Sequence, residues 1–338
     1  MSTLSTTHEE IALGAPDGKP VSNLRDLIDT HLHMPFPFRH NPHEAEAAAG
    51  VEAWLDEWGL MAEPGVPAMI ARTRPAELAS YTSPALDLGL LQIVAHQIAY
   101  QFVFDDRAES VGRCSPAALV PMLCESVAIL RDGRRPGTPL GAALADLYRQ
   151  VRERSTPAQA ARWAWKSCEY VHGLLYEAVA QAQPLLLRTR DCLSIRSLTA
   201  GVEPFYPLYE AAQPREPAAA EVHHPVVRRL SRLSADAAVW TADLFSAVKE
   251  QRAGELINVA LAHQRERGCS LQTAVLLAVQ EINSTIEEFE ELYALIAPEL
   301  SPAGLGCVEG MIGWIRGCYD WSRTVPRYAD AALVPVLP

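Results

Sequence analysis

The chain has 338 residues, of which 49% are hydrophobic and 21% are charged; this is enough apolar material for a sizeable core and excludes a disordered or collagen-like chain. The 29 basic and 41 acidic residues give a formal net charge of −12, which argues against a general nucleic-acid-binding protein, because that binding depends on basic side chains. The seven scattered cysteines never show a C-x-x-C spacing, so they favour a reducing cytoplasm over a disulfide framework or a structural zinc site.

The ends of the chain are predicted to be tails. Residues 1–30 are polar and rich in Gly and Pro, without a basic region followed by an apolar run, so we expect a flexible tail and no signal peptide. Residues 31–330 form the predicted domain and 331–338 a short C-terminal tail. The most apolar stretch, Leu88 to Phe104, contains four Gln or His residues, which is a poor membrane span.

The domain is predicted to be an all-α, single-domain helical bundle. Apolar residues recur at helical spacing, and no alternating strand pattern is evident. Prolines divide the chain into segments that we interpret as helices: Glu44–Trp58, Pro84–Phe104, Ser115–Arg131, Leu140–Arg154, Pro157–Gln181 and Thr189–Thr199. The long stretch from Pro225 to Pro298 contains no other proline, and Gly254 and Gly268 are expected to divide it into three helices.

A group of carboxylates follows the apolar stretch. Asp105, Asp106 and Glu109 are predicted to lie in the last turn of that helix, where the negative end of the helix dipole disfavours them. Asp105 and Glu109 are four residues apart and therefore share one face, an arrangement that suits Mg²⁺. A solvated helix end is the alternative interpretation.

A second set of oxygen ligands lies more than a hundred residues later. Asp243, Ser246 and Glu250 fall on one helical stripe, with Lys249 beside them as a point-charge phosphate binder. A hydroxyl and two carboxylates are oxygen ligands of the kind that Mg²⁺ takes.

Five ordered motifs resemble those of the bacterial class I terpene synthases, from about residue 34 to residue 330. They are MPFPFRHNPH with WLDEWGL, FDDRAE, RSLTAGVEP, DLFSAVKE with GELINV, and YDWSRTVPRY. FDDRAE resembles the aspartate-rich motif of the family, and DLFSAVKE resembles its Asn, Ser and Glu triad. Arg196 precedes position 242 by 46 residues, the spacing expected of the family's diphosphate-sensing arginine.

The resemblance implies an α-helical bundle whose apolar pocket binds farnesyl or geranylgeranyl diphosphate. Three Mg²⁺ ions would promote cleavage of the allylic C–O bond, with diphosphate as the leaving group, and the resulting carbocation would then cyclise. The implied metal ligands are Asp105, Asp106, Glu109, Asp243, Ser246 and Glu250. The implied diphosphate-binding residues are Arg196, Lys249, Arg327 and Tyr328, and the implied catalytic residues are Asp105, Arg196 and Trp321. The implied pocket residues are Tyr100, Gln101, Phe102, Ala200, Gly201, Phe205, Trp314 and Trp321.

Two positions depart from the family pattern. Ala242 stands where the family has the first Asn of its triad, and alanine cannot bind metal, so either Asp243 after a small helix rotation or a water molecule is expected to replace that ligand. Gln101 stands where the family usually has an apolar aromatic residue. This amide is expected either to hold a water molecule, which would favour an oxygenated product, or to turn outward.

Three functions therefore remain open. The first is an active Mg²⁺-dependent terpene cyclase, and the second is a cyclase-like protein that binds prenyl diphosphate without efficient cyclisation. A chain-elongating prenyltransferase is the third and is disfavoured, because the chain has only one aspartate-rich motif. Neither nucleic acid nor membrane is an expected partner, and a homodimer is possible. Motifs typical of hydrolases, nucleotide-binding proteins and redox proteins are missing from the sequence.

Overall fold

A computed structural model describes residues 22–182, 187–332 and 334, which form helices and no β-strand. The first half contains α1 (Leu24–His31), α2 (Glu44–Glu57), α3 (Val66–Thr73), α4 (Pro75–Thr82), α5 (Leu88–Cys114), α6 (Pro116–Asp132), α7 (Pro139–Arg154) and α8 (Pro157–Ala182). The second half contains α9 (Thr189–Thr199), α10 (Tyr206–Ala211), α11 (Ala219–Val222), α12 (Pro225–Ala253), α13 (Val259–Arg267), α14 (Leu271–Ile296) and α15 (Pro302–Thr324). Short 3₁₀ helices lie at Leu60–Ala62, Glu203–Phe205, Ala297–Glu299 and Pro326–Ala332. The predicted all-α fold is confirmed.

Proline and glycine set the helix limits where the sequence predicts them. Pro157 and Pro225 are the first residues of α8 and α12, positions where the missing N–H has no helical partner to lose. Gly254 and Gly268 follow α12 and α13 with φ of +75° and +62°, a left-handed conformation that ends a helix most easily at glycine. The three predicted helices between residues 225 and 298 are therefore confirmed.

Helix α5 is longer than predicted. It begins after Asp87, whose side chain accepts a 3.0 Å hydrogen bond from the Leu90 amide, and it continues to Cys114 rather than ending at Phe104. Nothing between 105 and 114 breaks a helix until Ser115 and Pro116. Asp105 therefore lies more than two turns inside the helix, and the predicted placement in the last turn is wrong.

The core is one continuous apolar cluster with α12 at its centre. Helix α12 packs against both α14 and α15, and α15 also packs closely on α4. A Cβ atom on Gly313 would lie 2.3 Å from the Thr82 carbonyl oxygen, so only glycine permits this approach of α15 to α4. The arrangement brings the C-terminal halves of α5, α8 and α12 to one end of the bundle, beside the 3₁₀ helix Pro326–Ala332.

The predicted tails are shorter than expected. Residues 24–30 belong to α1, which buries Leu24, Leu27 and Ile28, because their spacing gives the helix an apolar face. At the other end, Ala331 is buried and the Val334 carbonyl accepts a 3.0 Å hydrogen bond from the Leu24 amide. The remaining tail positions, 1–21, 333 and 335–338, lie outside the described residues.

Within the described residues, none of the helices combines the length and the apolar character that crossing a membrane requires.

Candidate active site

A cleft of about 90 Å³ lies at this end of the bundle. Ionisable side chains of both signs line it: Asp105, Glu109, Glu177, Glu250 and Glu255 are acidic, and Arg113, Arg196, Lys249 and Arg327 are basic. Six of these nine residues were predicted as site residues, and they come from four separate motifs. A larger groove of about 740 Å³, at the N-terminal ends of α12 and α15, contains none of the predicted site residues.

Two carboxyl groups in the cleft hold their protons unusually tightly. Burial raises the pKa of Asp105 to about 6 and that of Glu177 to about 8, although the positive charge of Arg196 opposes both shifts. The Glu177 Oε2 atom is buried and has no hydrogen-bond partner among the described residues. Glu177 was not predicted as a site residue. Its signal in the sequence is a carboxylate four residues after Gly173, on a face of α8 that is otherwise buried.

Arg196 on α9 is paired with Asp243 on α12. The Nη2 and Nε atoms of Arg196 lie 2.9 and 3.0 Å from Asp243 Oδ1, and its Nη1 donates to Thr199 Oγ1 at 3.1 Å. The other Asp243 oxygen accepts a 3.0 Å hydrogen bond from the Val259 amide. Asp243 therefore serves as the buried counter-ion of Arg196, and this geometry argues against its predicted metal-binding role, which requires a free carboxylate oxygen.

The other members of the second predicted ligand set lie next to Asn258. Its side-chain amide nitrogen donates to Glu250 Oε2 at 2.9 Å and lies 3.4 Å from Ser246 Oγ. Glu250 lines the cleft, and Ser246 is buried behind it. Ala242 is half-buried and packs on the core. The metal-binding role of Ser246 and Glu250 stays a prediction.

Arg113 occupies the acidic side of the cleft. It forms ion pairs with both Glu109 and Glu255, so in this form of the protein the Glu109 carboxylate is neutralised by a cation. Lys249 is buried beside Arg327, and both burial and this neighbouring charge lower its pKa. Neither Arg113 nor Glu255 was predicted as a site residue: Arg113 lies in none of the motifs, and Glu255 lies in GELINV without an assigned role.

An aromatic layer connects the cleft to the C-terminal segment. The guanidinium of Arg327 lies 5.6 Å from the Phe102 ring centre and 3.7 Å from Asp106. Phe102 stacks with Trp321 at 5.9 Å, and Trp321 meets the Tyr328 ring edge-on at 5.5 Å. Predicted residues from two motifs are thus in contact. Asp106 is not among the cleft-lining residues and has a side chain that is 43% exposed.

The Gln101 side chain neither turns outward to solvent nor keeps its amide nitrogen free for a water molecule. Its Nε2 atom donates a 2.8 Å hydrogen bond to the Gly201 carbonyl, and a Cβ atom on Gly201 would lie 2.9 Å from that same nitrogen. Gly201 also has a φ of +64°, which glycine adopts at least cost. The bond therefore fixes the chain just after Ala200, where α9 ends.

The remaining predicted pocket aromatics lie in two separate places. Phe205 and Trp314 are buried with ring centres 4.7 Å apart. Tyr100 stacks on Phe104 at 5.5 Å, and it lies about 140° around α5 from Asp105. The Tyr100 ring is thus on a different face of α5 from the cleft carboxylate, which disfavours its predicted role in the pocket wall.

The donors in this cleft suit a hard cation that is shared with an anionic ligand. Among the described residues, no three His, Cys, Asp or Glu side chains form a ready-made metal cluster. Mg²⁺ usually takes one or two protein carboxylates, retains waters and binds substrate phosphates. The carboxylates of Asp105 and Glu250, the unpartnered oxygen of Glu177 and three nearby cations fit such an arrangement.

Comparison with known proteins decides the family. A family model described as "Terpene synthase family 2, C-terminal metal binding" matches residues 97–288. The chain belongs to this terpene synthase family. The matched residues include most of α5 and all of α8 and α12.

Two relatives and one solved structure show which members of the family this terpene synthase resembles. It is 70% identical to a (−)-α-amorphene synthase of Streptomyces viridochromogenes, described as (2E,6E)-farnesyl diphosphate cyclizing, with 99% of each chain covered. It is 28% identical to pentalenene synthase of Streptomyces exfoliatus over 90% of this chain and 94% of that one. The crystal structure of germacradien-4-ol synthase from Streptomyces citricolor superposes with a TM-score of 0.74 at 26% identity, covering 87% of this chain and 98% of that one. The protein is therefore a terpene cyclase.

Proposed function

We propose that this terpene cyclase converts farnesyl diphosphate into a cyclic sesquiterpene hydrocarbon, with release of diphosphate and with Mg²⁺ as cofactor. The observation that carries the proposal is the cleft, where Asp105 and Glu250 face Arg196, Lys249 and Arg327. The sequence left C15 and C20 substrates open. The high identity to a relative described as farnesyl diphosphate cyclizing favours C15.

The cations of the cleft are suited to bind the leaving group. A diphosphate carries several negative charges, and Arg196, Lys249 and Arg327 provide three positive charges from three different elements. Charge-assisted hydrogen bonds from such groups are about twice as strong as neutral ones. Bound Mg²⁺, three ions by family resemblance, would neutralise further diphosphate oxygens and favour loss of the leaving group. Tyr328 is expected to add a hydroxyl donor.

The aromatic layer of Phe102, Trp321 and Tyr328 is suited to stabilise the farnesyl carbocation that remains after diphosphate has left. The Phe102 ring lies under the guanidinium of Arg327, which lines the cleft, and Trp321 stacks on Phe102. A ring face stabilises a nearby cation by about 0.5–2 kcal/mol. The engagement of the Gln101 amide by Gly201 leaves it poorly placed to hold a reactive water molecule. This supports a hydrocarbon rather than an alcohol as the product.

Incubation of the purified protein with C10, C15, C20 and C25 prenyl diphosphates and Mg²⁺, followed by gas chromatography and mass spectrometry, tests the proposal. We expect cyclic hydrocarbon from the C15 substrate, and none when Mg²⁺ is chelated. Diphosphate binding without any product would instead support the non-cyclising alternative, which the lost ligand at Ala242 favours. Preference for C20 would contradict the proposed substrate.

The described cysteines Cys124, Cys168, Cys192, Cys269, Cys307 and Cys318 are free thiols. A cytoplasmic location stays a prediction.

A further inference from the structure

Asn258 contacts the second predicted ligand set from outside its helix. It is fully buried and lies at the N-cap of α13, where its Oδ1 atom accepts a 3.0 Å hydrogen bond from the Leu261 amide. Its Nδ2 atom donates to the Asp243 carbonyl at 2.8 Å and to Glu250 Oε2 at 2.9 Å. One amide therefore caps α13 and also binds α12 at two residues, Asp243 and Glu250, which are about two turns apart on the same stripe.

The direction of this amide is fixed. A flipped side chain would turn the NH₂ group toward the Leu261 N–H, donor against donor, and would lose the cap. The two hydrogens of Nδ2 are used by the two close acceptors, Asp243 O and Glu250 Oε2. Asn258 thus acts on Glu250 as a hydrogen-bond donor, and its oxygen is committed to the helix cap.

The first turn of α13 also contacts Asp243, the counter-ion of Arg196. The next residue, Val259, donates its amide to Asp243 Oδ2 at 3.0 Å, and the other Asp243 oxygen binds Arg196. The start of α13 therefore orients Glu250 through a side chain and the Arg196 counter-ion through the backbone. No polar group at position 242 assists it, because that residue is alanine.

We propose that Asn258 is the positioning residue of the second metal site, the one predicted at Ser246 and Glu250: its amide holds the Glu250 carboxylate at the cleft beside Ser246. The proposal rests on the proposed Mg²⁺-dependent function. Without the amide donor, the Glu250 side chain samples other rotamers. Metal binding with diphosphate must then order this side chain, which weakens the metal affinity. Asn258 acts through Glu250 and binds neither metal nor substrate.

The test uses Asn258→Ser, which keeps a capping oxygen and removes the amide donor. The matched control is Asn23→Ser, the same change at the N-cap of α1, where Asn23 Oδ1 accepts from the Asp26 amide at 3.0 Å. Mn²⁺ binding in the presence of inorganic diphosphate is followed by electron paramagnetic resonance, and thermal unfolding is measured without metal. We expect Asn258→Ser to weaken Mn²⁺ binding about tenfold or more, as for loss of a hydrogen bond to a charged group, while Asn23→Ser leaves it unchanged.

An unchanged Mn²⁺ affinity in folded Asn258→Ser would overturn the proposal. Equal loss in both variants would overturn it as well, because the effect would then come from helix capping. These readouts need no prenyl substrate, so they remain decisive even if the wild-type protein makes no product from farnesyl diphosphate.

A measurement on the wild-type protein covers the case in which Asn258→Ser does not fold. The chain has four asparagines, and Asn258 alone is followed by valine, so selective labelling of Asn and Val identifies its resonances by NMR. We expect its side-chain NH₂ signals to shift on addition of Mg²⁺ and inorganic diphosphate, because a metal ion bound to the Glu250 carboxylate draws electron density from the oxygen that accepts this hydrogen bond. Signals that do not move at saturation would overturn the proposal.

Discussion

Arg196 on α9 lies 2.9 Å from Asp243 on α12, and the Asp243 side chain is only 1% exposed. Removing one partner of such a buried pair leaves an uncompensated charge. We predict that Asp243→Leu lowers the free energy of unfolding by about 3–5 kcal/mol, and that the double variant Arg196→Met with Asp243→Leu recovers most of this loss. Urea denaturation of metal-free protein measures both.

The same variants distinguish a counter-ion from a metal ligand. A carboxylate needed only for metal would leave the stability of the metal-free protein unchanged when replaced by Asn. Asp243→Asn with normal stability but a raised Mg²⁺ requirement would therefore restore the role that the sequence suggested for Asp243.

Glu177 should make the metal-free protein less stable as the pH rises. Burial raises its pKa to about 8, so the folded protein binds this proton more tightly than the unfolded chain does. The resulting stabilisation is complete below the ordinary glutamate pKa and is lost as the pH rises through about 8. We predict that Glu177→Gln flattens the fall in stability between about pH 5 and pH 8, as measured by urea unfolding at several pH values. Parallel pH profiles for the two proteins would contradict this assignment.

The sequence predicted those features of the site that depend on local spacing. Asp105 and Glu109 line one cleft because they are four residues apart on one helix, and Arg196 reaches the same end of the bundle at the predicted family spacing. The helix limits at Gly254 and Gly268 were equally predictable, because glycine adopts the left-handed conformation without a Cβ clash.

The features that were missed depend on packing between distant segments. Glu177 becomes a site residue only because α8 places it beside Asp105 and Arg196. Its local signal, a carboxylate on an otherwise buried helix face, does not indicate which residues it meets. Asp243 was assigned to metal from its position on the α12 stripe, but α9 brings Arg196 to it. The periodicity of one helix determines which residues share a face, and the partner of that face is decided by the fold.

Asp105 should matter far more for turnover than its neighbour Asp106. Asp105 lines the cleft, and Asp106 is half-exposed with Arg327 at 3.7 Å. We predict that Asp105→Ala reduces turnover by more than about a hundredfold and leaves the fold intact, and that Asp106→Ala reduces it by less than about tenfold. Steady-state product formation and circular dichroism measure the two effects. Near-normal activity of Asp105→Ala would refute its assignment as a metal ligand.

The hydrogen bond from Gln101 to Gly201 should affect catalysis, because it fixes the end of α9, the helix that carries Arg196. Gln101→Leu removes the donor and leaves the Gly201 carbonyl unpaired, so we predict a stability loss of about 1–3 kcal/mol and a fall in kcat that exceeds the change in KM. Gln92→Leu is the control, because Gln92 donates to the Ala47 carbonyl at 3.2 Å on the same helix and is not among the residues that line the cleft. Equal kinetic effects of the two variants would show that Gln101 acts only on general stability.

Ala242 provides the sharpest test of the second metal site. It precedes Ser246 by four residues on α12, so an amide at position 242 would project along the stripe that carries Ser246 and Glu250. We predict that Ala242→Asn lowers the Mg²⁺ concentration needed for half-maximal product formation by about ten- to a hundredfold, the effect expected of one added oxygen ligand worth about 1–3 kcal/mol. A Mg²⁺ titration of product formation by both proteins measures this difference. Ala242→Gly is the control for backbone and packing changes at the same position. Coincident titration curves for wild type and Ala242→Asn would mean that a water molecule already supplies the metal ligand that alanine cannot. In that case Asn258 positions Glu250 well enough for the second metal site to work without an amide at position 242.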